Sequence, residues 1–309
     1  MAIVMRPFQH HFFALGSDCA VHIFVDQEAD AIRAAAAAER EIARIEGRLS
    51  RYRADSEVSR INEAAKSGGT IEVDSETAGL VDYACGCFRK SDGLFDITSG
   101  ILRKAWDFSS GRLPEQATIA ALLPRIGLDK IQWDKPRLTF PLPGMELDFG
   151  GIGKEYAADR AASTCKAMGI RHGLIDLGGD ICLIGPRPDG APWTAGIRHP
   201  RSPSIPMAKV ELLTGALATS GDYERFMDVD GRRYCHILDP GTGWPVRGLA
   251  SVSVLADDCL VAGSLATMAM LKGRRGVAWL RALGVHYVCM DENGTLFRSD
   301  KNQDLSDGV

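Results

Sequence analysis

The order of apolar patterns along the chain predicts an α+β fold, in which mixed and antiparallel sheets are flanked by helices. Short alternating segments and longer stripes at helical spacing follow one another without the strict strand–helix alternation of a doubly wound parallel sheet. No fixed-period repeat is visible. Because 309 residues suffice for a full core, we expect a single unit over residues 1–309, with a loop-rich segment at 185–206.

The N-terminal half opens with an alternating segment and a long helix. Phe12 to Val25 alternates as a strand or hairpin that turns near Gly16. Gln27 to Leu49 is rich in alanine and predicts an amphipathic helix. Its apolar stripe consists of Ile32, Ile42, Ile45 and Leu49. The other elements predicted here are a helix capped at Asp55–Ser56 and running through Ala65, a strand at Thr70–Val73, helices from Asp74 to about Lys90 and at Ala117–Leu123, and proline-broken strands within Ile131–Leu147.

The C-terminal half contains more strands than helices. Helices are predicted at Tyr156–Met168, Cys259–Leu271 and Gly276–Leu283. Strands are predicted at His172–Leu177, Asp180–Ile184, Thr194–Arg198, Ala208–Leu213, Leu217–Thr219, Arg233–Leu238, Leu249–Leu255, His286–Met290 and Thr295–Arg298.

Composition argues against several classes of protein. Apolar residues make up 45% and charged residues 25% of the chain, an ordinary globular balance. The net charge of -4, without a basic run, argues against a nucleic-acid partner. The eight cysteines form no C-x-x-C pair, which favours free thiols in a reducing compartment over a zinc site. No run of about 18 apolar residues predicts a membrane span. No signal peptide or lipid anchor is visible, so a cytoplasmic location is expected, or a periplasmic one if a leader has been removed.

Residues 147–160, with the sequence LDFGGIGKEYAADR, are the most informative segment. An apolar strand end meets three glycines and Lys154, and helix-forming sequence follows. Glycines allow a ligand to approach the backbone closely, and the first N–H groups of a helix favour an anion. Lys154 adds a mobile positive charge, and Asp148 is a buried carboxylate candidate just ahead of it. The pattern points to a phosphate-bearing ligand, although a tight turn explains the glycines equally well.

Two familiar nucleotide motifs do not fit this segment. In a P-loop, Ser or Thr follows the lysine, whereas Glu155 follows Lys154 here. In the dinucleotide fingerprint a third glycine is required where Tyr156 stands. The phosphate-binding hypothesis therefore rests on the glycines, the lysine and the helix start alone.

Two segments earlier in the chain carry polar groups that suit a flat ligand. Tyr52 offers an aromatic face and a hydroxyl for stacking on a heterocycle, or it is a surface aromatic beside a helix cap. Asp96 and Thr98 alternate with apolar neighbours, so both side chains would project from one side of a strand. The competing interpretation is a turn with side-chain-to-backbone hydrogen bonds.

Two later segments carry titratable groups. His236 lies in a strand-like run that ends in a sharp turn, and its imidazole suits proton transfer from a hydroxyl. A satisfied core histidine is the alternative. Asp257 and Asp258 precede a helix, where they read as caps that favour the helix dipole or, with a nearby hydroxyl, as oxygen ligands for Mg²⁺.

Taken together and in this order, these segments resemble the ApbE-type FAD:protein FMN transferase family. The resemblance extends from about Phe13 to Ala269, and its strength lies in the succession of motifs. The motifs that carry it are Leu15-Gly16-Ser17, Ser50-x-Tyr52-x-x-Asp55-Ser56, Phe95-Asp96-Ile97-Thr98, Asp148 through Asp159, Gly178-Gly179-Asp180, Ser220-Gly221-Asp222-Tyr223 and His236-Ile237-Leu238-Asp239-Pro240-x-Thr242-Gly243.

The resemblance implies an ApbE-like, T-fold-like unit with Mg²⁺-dependent transferase activity. Such enzymes move FMN from FAD to a threonine of a target flavoprotein, which is the expected partner, and release AMP. The implied catalytic residues are His236, as base, and Lys154. The implied FAD site comprises Leu15, Tyr52, Asp96, Ile97, Thr98, Asp148, Glu155 and Ile237. The implied metal site comprises Gly153, Ala266 and Thr267.

One departure from the family pattern bears on the metal. The family's D-x-x-x-T motif keeps Thr267 but has Gly263 at the aspartate position. Because the lost carboxylate would leave Mg²⁺ poorly neutralised, either Asp257, Asp258 or another acid substitutes, or metal dependence or transfer is altered. Two alternatives follow, an FAD-binding protein without transfer activity and a metal-dependent FAD diphosphatase. From the sequence alone, we expect Gly263→Asp to raise Mg²⁺ affinity.

Overall fold

An antiparallel sheet of eight strands organises the fold in the computed structural model, which describes residues 5–202 and 204–299. Its strands, in spatial order, are β1 (Arg6–Ala14), β2 (Ser17–Val25), β6 (Gly173–Leu177), β7 (Asp180–Gly185), β10 (Ala216–Gly221), β13 (Leu249–Ala256), β14 (His286–Asp291) and β15 (Leu296–Arg298). Smaller antiparallel sheets join β3 (Thr70–Glu72), β5 (Arg137–Thr139) and β4 (Gln132–Asp134), then β8 (Trp193–Arg198) with β9 (Pro206–Leu212), and β11 (Phe226–Val229) with β12 (Arg232–Cys235). The predicted α+β class with antiparallel sheets is confirmed.

Helices cover one face of the large sheet. The α-helices of the described residues are α1 (Glu28–Leu49), α2 (Glu57–Lys66), α3 (Ser75–Lys90), α4 (Gln116–Leu122), α5 (Gly153–Ala167), α6 (Cys259–Leu271) and α7 (Arg275–Leu283). Helices α1 and α5 pack together, α5 also packs on β7, and α6 packs on β10 and β13. Their buried faces are rich in alanine, such as Ala34 and Ala38 of α1 and Ala158 and Ala161 of α5. Small side chains let these helices approach one another closely, which brings α5 and α6 side by side.

Two smaller apolar clusters complete the core. The ribbon β8–β9 covers the second face of the sheet, where Ile197 and Val210 pack against Leu183 and Leu217. A separate cluster around Trp106 joins α4 to the hairpin β11–β12, and the Trp106 indole N–H donates to the carbonyl of Gly243 at 2.8 Å. This second cluster fixes the hairpin that precedes His236.

Local sequence signals, such as capping residues, predicted most helix starts correctly. The Ser56 side chain caps α2 by accepting from the Ser59 N–H, and the Asp74 side chain caps α3 by accepting from the Thr77 N–H. Within α1, Ile42 and Ile45 are buried as predicted, but Ile32 is 53% exposed. Burial in the first turns of α1 falls instead on alanines, so the prediction for Ile32 was wrong.

The structure corrects several strand predictions. Residues 147–149 do not form a strand, so the glycines follow irregular backbone. Strand β12 ends at Cys235, which places His236 just after it, and β11 was not predicted. The loop-rich segment 185–206 includes β8, in agreement with the separate strand prediction there. None of the helices within the described residues is long and apolar enough to cross a membrane.

Candidate active site

The start of α5 is built from the glycine-rich segment. Ile152 occupies the N-cap position without a side-chain cap, and the Gly153 N–H donates to the Phe149 carbonyl at 2.7 Å. A β carbon at Gly151 would lie 3.2 Å from the Phe95 ring, which explains a glycine there without a ligand. At Gly153 a β carbon would meet only Leu49 at 3.4 Å, an ordinary contact. The first N–H of the helix is therefore bonded within the chain, and part of the glycine pattern serves packing.

Lys154 is held by a buried carboxylate. Its Nζ lies 2.7 Å from Oδ2 of Asp180, whose side chain is only 2% exposed. The other Asp180 oxygen accepts from the Thr219 N–H at 3.0 Å. Burial opposes the lysine charge, but the carboxylates of Asp180 and Glu155 outweigh it and raise the pKa of Lys154. Lys154 thus stays cationic, and the prediction that its charge is mobile was wrong.

Glu155 lies inward from this pair and against α6. Its Oε2 is buried and has no hydrogen-bond partner among the described residues. A β carbon placed at Gly263 would lie 2.5 Å from Cγ and 2.8 Å from Oε1 of Glu155. Burial, followed by the nearby Asp180 charge, raises the pKa of Glu155. The glutamate side chain therefore fills the space that a side chain at position 263 would need.

The predicted metal residues of α6 lie one turn further along the helix. Ala266 is fully buried, and the Thr267 hydroxyl is 2.7 Å from that of Ser220 on β10. The start of α6 is capped from α5, because the Asp159 carboxylate accepts from the N–H groups of Cys259 at 2.8 Å and Leu260 at 2.9 Å. Asp159, the last residue of the glycine-rich motif, therefore aligns α6 with α5.

A second group surrounds Tyr52. Its ring is exposed and lies under the Arg51 guanidinium, 5.0 Å from guanidinium carbon to ring centre. Arg51 also donates to the Tyr52 hydroxyl and forms an ion pair with Asp148. That hydrogen bond, with the charges of Arg225 and Arg103, lowers the pKa of Tyr52. The geometry brings Asp148 and Tyr52 together through an arginine that sequence reasoning missed, although Arg51 lies within the matching motif.

Asp96 and Thr98 lie in a turn, so the strand interpretation was wrong and the competing turn interpretation is confirmed. Asp96 Oδ1 accepts from both the N–H (2.7 Å) and the hydroxyl (2.6 Å) of Thr98. The Thr98 hydroxyl in turn accepts from the Gly127 N–H at 2.8 Å. Ile97 is buried, and its carbonyl accepts from the Asp148 N–H at 2.8 Å. In this structure, these residues tie the turn to its neighbours and carry the backbone next to Asp148.

The hairpin between β1 and β2 turns at Leu15 and Gly16. Both have positive φ, 54° and 74°, as a two-residue type I′ turn requires. Leu15 pays a steric cost for this conformation, since only glycine adopts it freely. The Leu15 N–H donates to Glu46 Oε1 at 3.0 Å, which anchors the turn to α1. A β carbon at Gly16 would lie 3.5 Å from the Arg225 guanidinium, so the turn borders the histidine region.

His236 follows β12 and has a fixed orientation. Its Nδ1 lies 3.2 Å from the Arg225 carbonyl, which assigns the proton to Nδ1 and leaves Nε2 as an acceptor. The residue keeps exposed surface, yet desolvation by the surrounding protein lowers the pKa of His236. The imidazole is therefore neutral at pH 7. Ile237 is buried, and its carbonyl accepts from the Val246 N–H at 3.0 Å.

Comparison with known proteins shows which family this chain belongs to. The family model described as ApbE matches residues 15–289. The chain belongs to the ApbE family. It is similar to the FAD:protein FMN transferase of Haemophilus influenzae, with 29% identity over 82% of this chain and 78% of the relative, and to that of Vibrio cholerae, with 32% identity over 78% and 74%.

Solved ApbE structures share the fold. The ApbE protein of Thermotoga maritima superposes with a TM-score of 0.88 at 33% identity, over 96% of this chain and 97% of that one. The apo form of the flavinyl transferase ApbE of Pseudomonas stutzeri gives 0.87 at 28% identity over the full length of both chains. These comparisons confirm the resemblance inferred from the motifs and the ApbE-like single compact fold.

The site combines predicted and unforeseen residues. Lys154, Glu155 and Thr267 lie where α5, α6 and β10 meet, whereas Tyr52 and Asp148 form a separate group with Arg51. No group of three His, Cys, Asp or Glu residues able to hold a metal occurs in the part of the chain that the structure describes. The ligand and metal roles of these residues, the domain limits of 1–309 and the cytoplasmic location stay predictions.

Proposed function

We propose that this ApbE-family protein is an FAD:protein FMN transferase that moves FMN from FAD to a threonine hydroxyl of a target flavoprotein and releases AMP. The observation that carries the proposal is the imidazole of His236, whose Nδ1 is held by a carbonyl while Nε2 is left to accept a proton. The cationic Lys154 is close enough for its charge to act on that ring. The names of the similar proteins from two bacteria support the same reaction.

FAD would bind through its diphosphate and its flat rings. Apart from the Gly153 N–H, which donates to Phe149, the start of α5 suits phosphate oxygens, because a helix N-terminus favours anions. Tyr52, 78% exposed, offers a ring face to a heterocycle. Arg51 is paired with Asp148, whereas the guanidinium of Arg225 has no acidic partner within 4 Å among the described residues. Arg225 is therefore available to an anionic ligand.

The transfer follows from the positions of these groups. The acceptor hydroxyl oxygen attacks the FMN-side phosphorus and forms a new P–O bond, while its proton moves to Nε2 of His236. The bond from that phosphorus to the bridging oxygen breaks, and this oxygen leaves with AMP. Lys154 and the α5 amides stabilise the charge on the phosphate oxygens, and the ion pair with Asp180 holds the lysine in place.

The residues around Gly263 fit Mg²⁺, which prefers oxygen ligands. Glu155 presents a buried carboxylate oxygen without a hydrogen-bond partner, and Thr267 presents a hydroxyl one turn beyond Gly263. The predicted ligands Gly153 and Ala266 belong to the same two helices, α5 and α6. When bound there, the ion would withdraw charge from the diphosphate.

A transfer assay tests the proposal. The protein is incubated with FAD and Mg²⁺, with and without an acceptor flavoprotein domain, and AMP and covalent flavin are measured. AMP release that requires the acceptor, with flavin attached to it, is the expected result. AMP and FMN without acceptor would indicate a diphosphatase, and unchanged bound FAD would indicate a binding protein.

Variants of two histidines sharpen the assay. His236→Gln should lower the transfer rate at least about a hundredfold, the lower limit for loss of a general base. His172, half-buried and bonded to the Pro186 carbonyl, provides the control, and His172→Gln should leave the rate unchanged. Equal rates in the two variants would exclude His236 as the base.

A further inference from the structure

The contact between α5 and α6 buries three carboxylates, and one of them has an oxygen with neither a hydrogen-bond nor an ion-pair partner among the described residues. These carboxylates belong to Glu155, Asp159 and Asp180, and Glu155 is close enough to interact with the other two and with Lys154. Lys154 is engaged by Asp180, and Asp159 is satisfied by two N–H groups of α6. Because a buried carboxylate either takes up a proton or pairs with a cation, the remaining carboxylate is a candidate cation ligand.

Glu155 is that remaining carboxylate. The residue is 9% exposed, and its Oε2 has no hydrogen-bond partner within residues 5–202 and 204–299. No Lys, Arg or His nitrogen of those residues forms an ion pair with it, since the pairs of α5 join Lys154 to Asp180 and Arg160 to Glu41. An oxygen so placed is able to serve as a ligand for a cation.

The carboxylate faces the one position of α6 that has no side chain. Glu155 Oε1 lies 2.8 Å from where a β carbon at Gly263 would stand. Thr267 follows one turn later on the same helix face, as residues four apart do, and its hydroxyl contacts that of Ser220 at 2.7 Å. The glycine thus admits an acid from the neighbouring helix next to a pair of hydroxyls.

The other acids near α6 are poorly placed for this role. Asp257 and Asp258 are exposed at the start of α6, whereas Gly263 is buried more than one turn into the helix. A rise of 1.5 Å per residue puts Asp258 about 7.5 Å along the axis from Gly263. The Asp159 oxygens are already occupied by backbone donors.

We propose that Glu155 supplies, from α5, the carboxylate ligand of the divalent cation that Gly263 does not supply from α6, with Thr267 as the hydroxyl ligand. The inference rests on the proposed function, because the cation is the one that the transferase would use. It reverses the expectation from the sequence for Gly263→Asp. With Glu155 in place, an aspartate at 263 would force two carboxylates into occupied space, so this single variant should bind the cation no more tightly than the native chain.

Metal binding measured apart from transfer tests the assignment. The full-length protein is freed of metal, and binding of Mn²⁺ is followed by the electron paramagnetic resonance signal of the free ion, with and without FAD, with Mg²⁺ as competitor. Glu155→Gln removes the charge at nearly constant volume, and Asp258→Asn is the matched control at an exposed acid. In Glu155→Ala/Gly263→Asp the carboxylate is moved to α6, and the glutamate atoms that would collide with it are removed.

The expected pattern is specific to Glu155. Glu155→Gln should weaken Mn²⁺ binding at least about tenfold, the lower end of the loss seen even when only an outer partner of a ligand is removed. Asp258→Asn should bind as the native chain does, and the relocated variant should recover most of the lost affinity. Native affinity in Glu155→Gln would overturn the assignment, as would a loss in Asp258→Asn of equal size.

Two further readouts keep the outcomes separate. If Glu155→Gln does not fold by circular dichroism, the relocated variant decides, because its failure to bind Mn²⁺ while folded would overturn the proposal. Transfer by the native protein together with unchanged Mn²⁺ affinity in Glu155→Gln would remove the ligand role and leave the function standing. Mn²⁺ binding that depends on Glu155, in a protein that transfers no FMN, would keep the ligand role and remove the proposed function.

Discussion

Replacement of Lys154 by methionine would isolate the ion pair that orients this lysine. The Asp180 side chain is 2% exposed, so Lys154→Met leaves its carboxylate buried, with the Thr219 N–H as its one remaining partner among the described residues. Loss of one partner of a buried pair costs about 3–5 kcal/mol. We expect about 3 kcal/mol, at the lower end of that range, because the Lys154 side chain is itself 30% exposed.

The expected change in melting temperature follows from the size of the chain. With about 2.1 cal/mol/K per residue, the unfolding entropy of 309 residues is about 0.65 kcal/mol/K. A loss of about 3 kcal/mol therefore lowers Tm by about 4–5 °C, measured by differential scanning calorimetry in the absence of ligands.

A double-mutant cycle provides the control. Lys154→Met/Asp180→Asn removes both charges, so it should lose less stability than the sum of the two single variants. An unchanged Tm in Lys154→Met, or strict additivity in the cycle, would refute the view that the pair is a coupled buried contact. The ion pair would then have no part in holding the lysine.

Three further predictions concern helix packing and the histidine. Gly263→Ala should destabilise the fold by about 1–3 kcal/mol, as overpacking does, because the added β carbon falls 2.5 Å from Cγ of Glu155. The control Gly153→Ala adds only a 3.4 Å contact with Leu49 and should leave Tm unchanged or raise it. Equal losses of Tm in the two variants would contradict the packing argument. Asp159→Ala should cost about 1–2 kcal/mol by removing the cap of α6, whereas Asp258→Ala, which removes no side-chain cap bond, should be near neutral in the same thermal assay. Because the pKa of His236 is lowered, its neutral form persists to lower pH. The transfer rate should therefore decline on acidification only below pH 6.5, and His236→Ala should lose this decline. A decline that begins above pH 6.5 in the native enzyme would contradict this prediction.

Much of the fold was predictable because its signals are local. Helix α6 begins and ends where the sequence predicted, since a continuous apolar stretch follows an acidic start and ends before glycine and basic residues. The caps at Ser56 and Asp74 depend on residues three positions apart and were equally visible. By contrast, β11 is a short strand of an isolated hairpin, and four residues give too little alternation to predict it.

Within the site, sequence and structure contributed different information. The motifs identified His236, Lys154 and the glycine-rich helix start, because residue types and short spacings suffice to recognise a family. They did not reveal that Lys154 forms an ion pair with Asp180, and they left open whether Asp96 and Thr98 lie in a strand or in a turn. Both features depend on the direction in which a side chain points, which the spacing alone does not determine.

The sequence by itself determined the fold class, the family and the lack of an aspartate at position 263. Only the tertiary structure placed the Glu155 carboxylate against that glycine, because the two residues lie on different helices that are far apart in the chain. The packing of small alanine side chains brings α5 to α6, and a glycine without a β carbon admits the glutamate. A carboxylate that is missing from one helix can thus be supplied by the neighbouring helix. Local sequence patterns do not predict this contact between Glu155 and Gly263, because it joins distant parts of the chain.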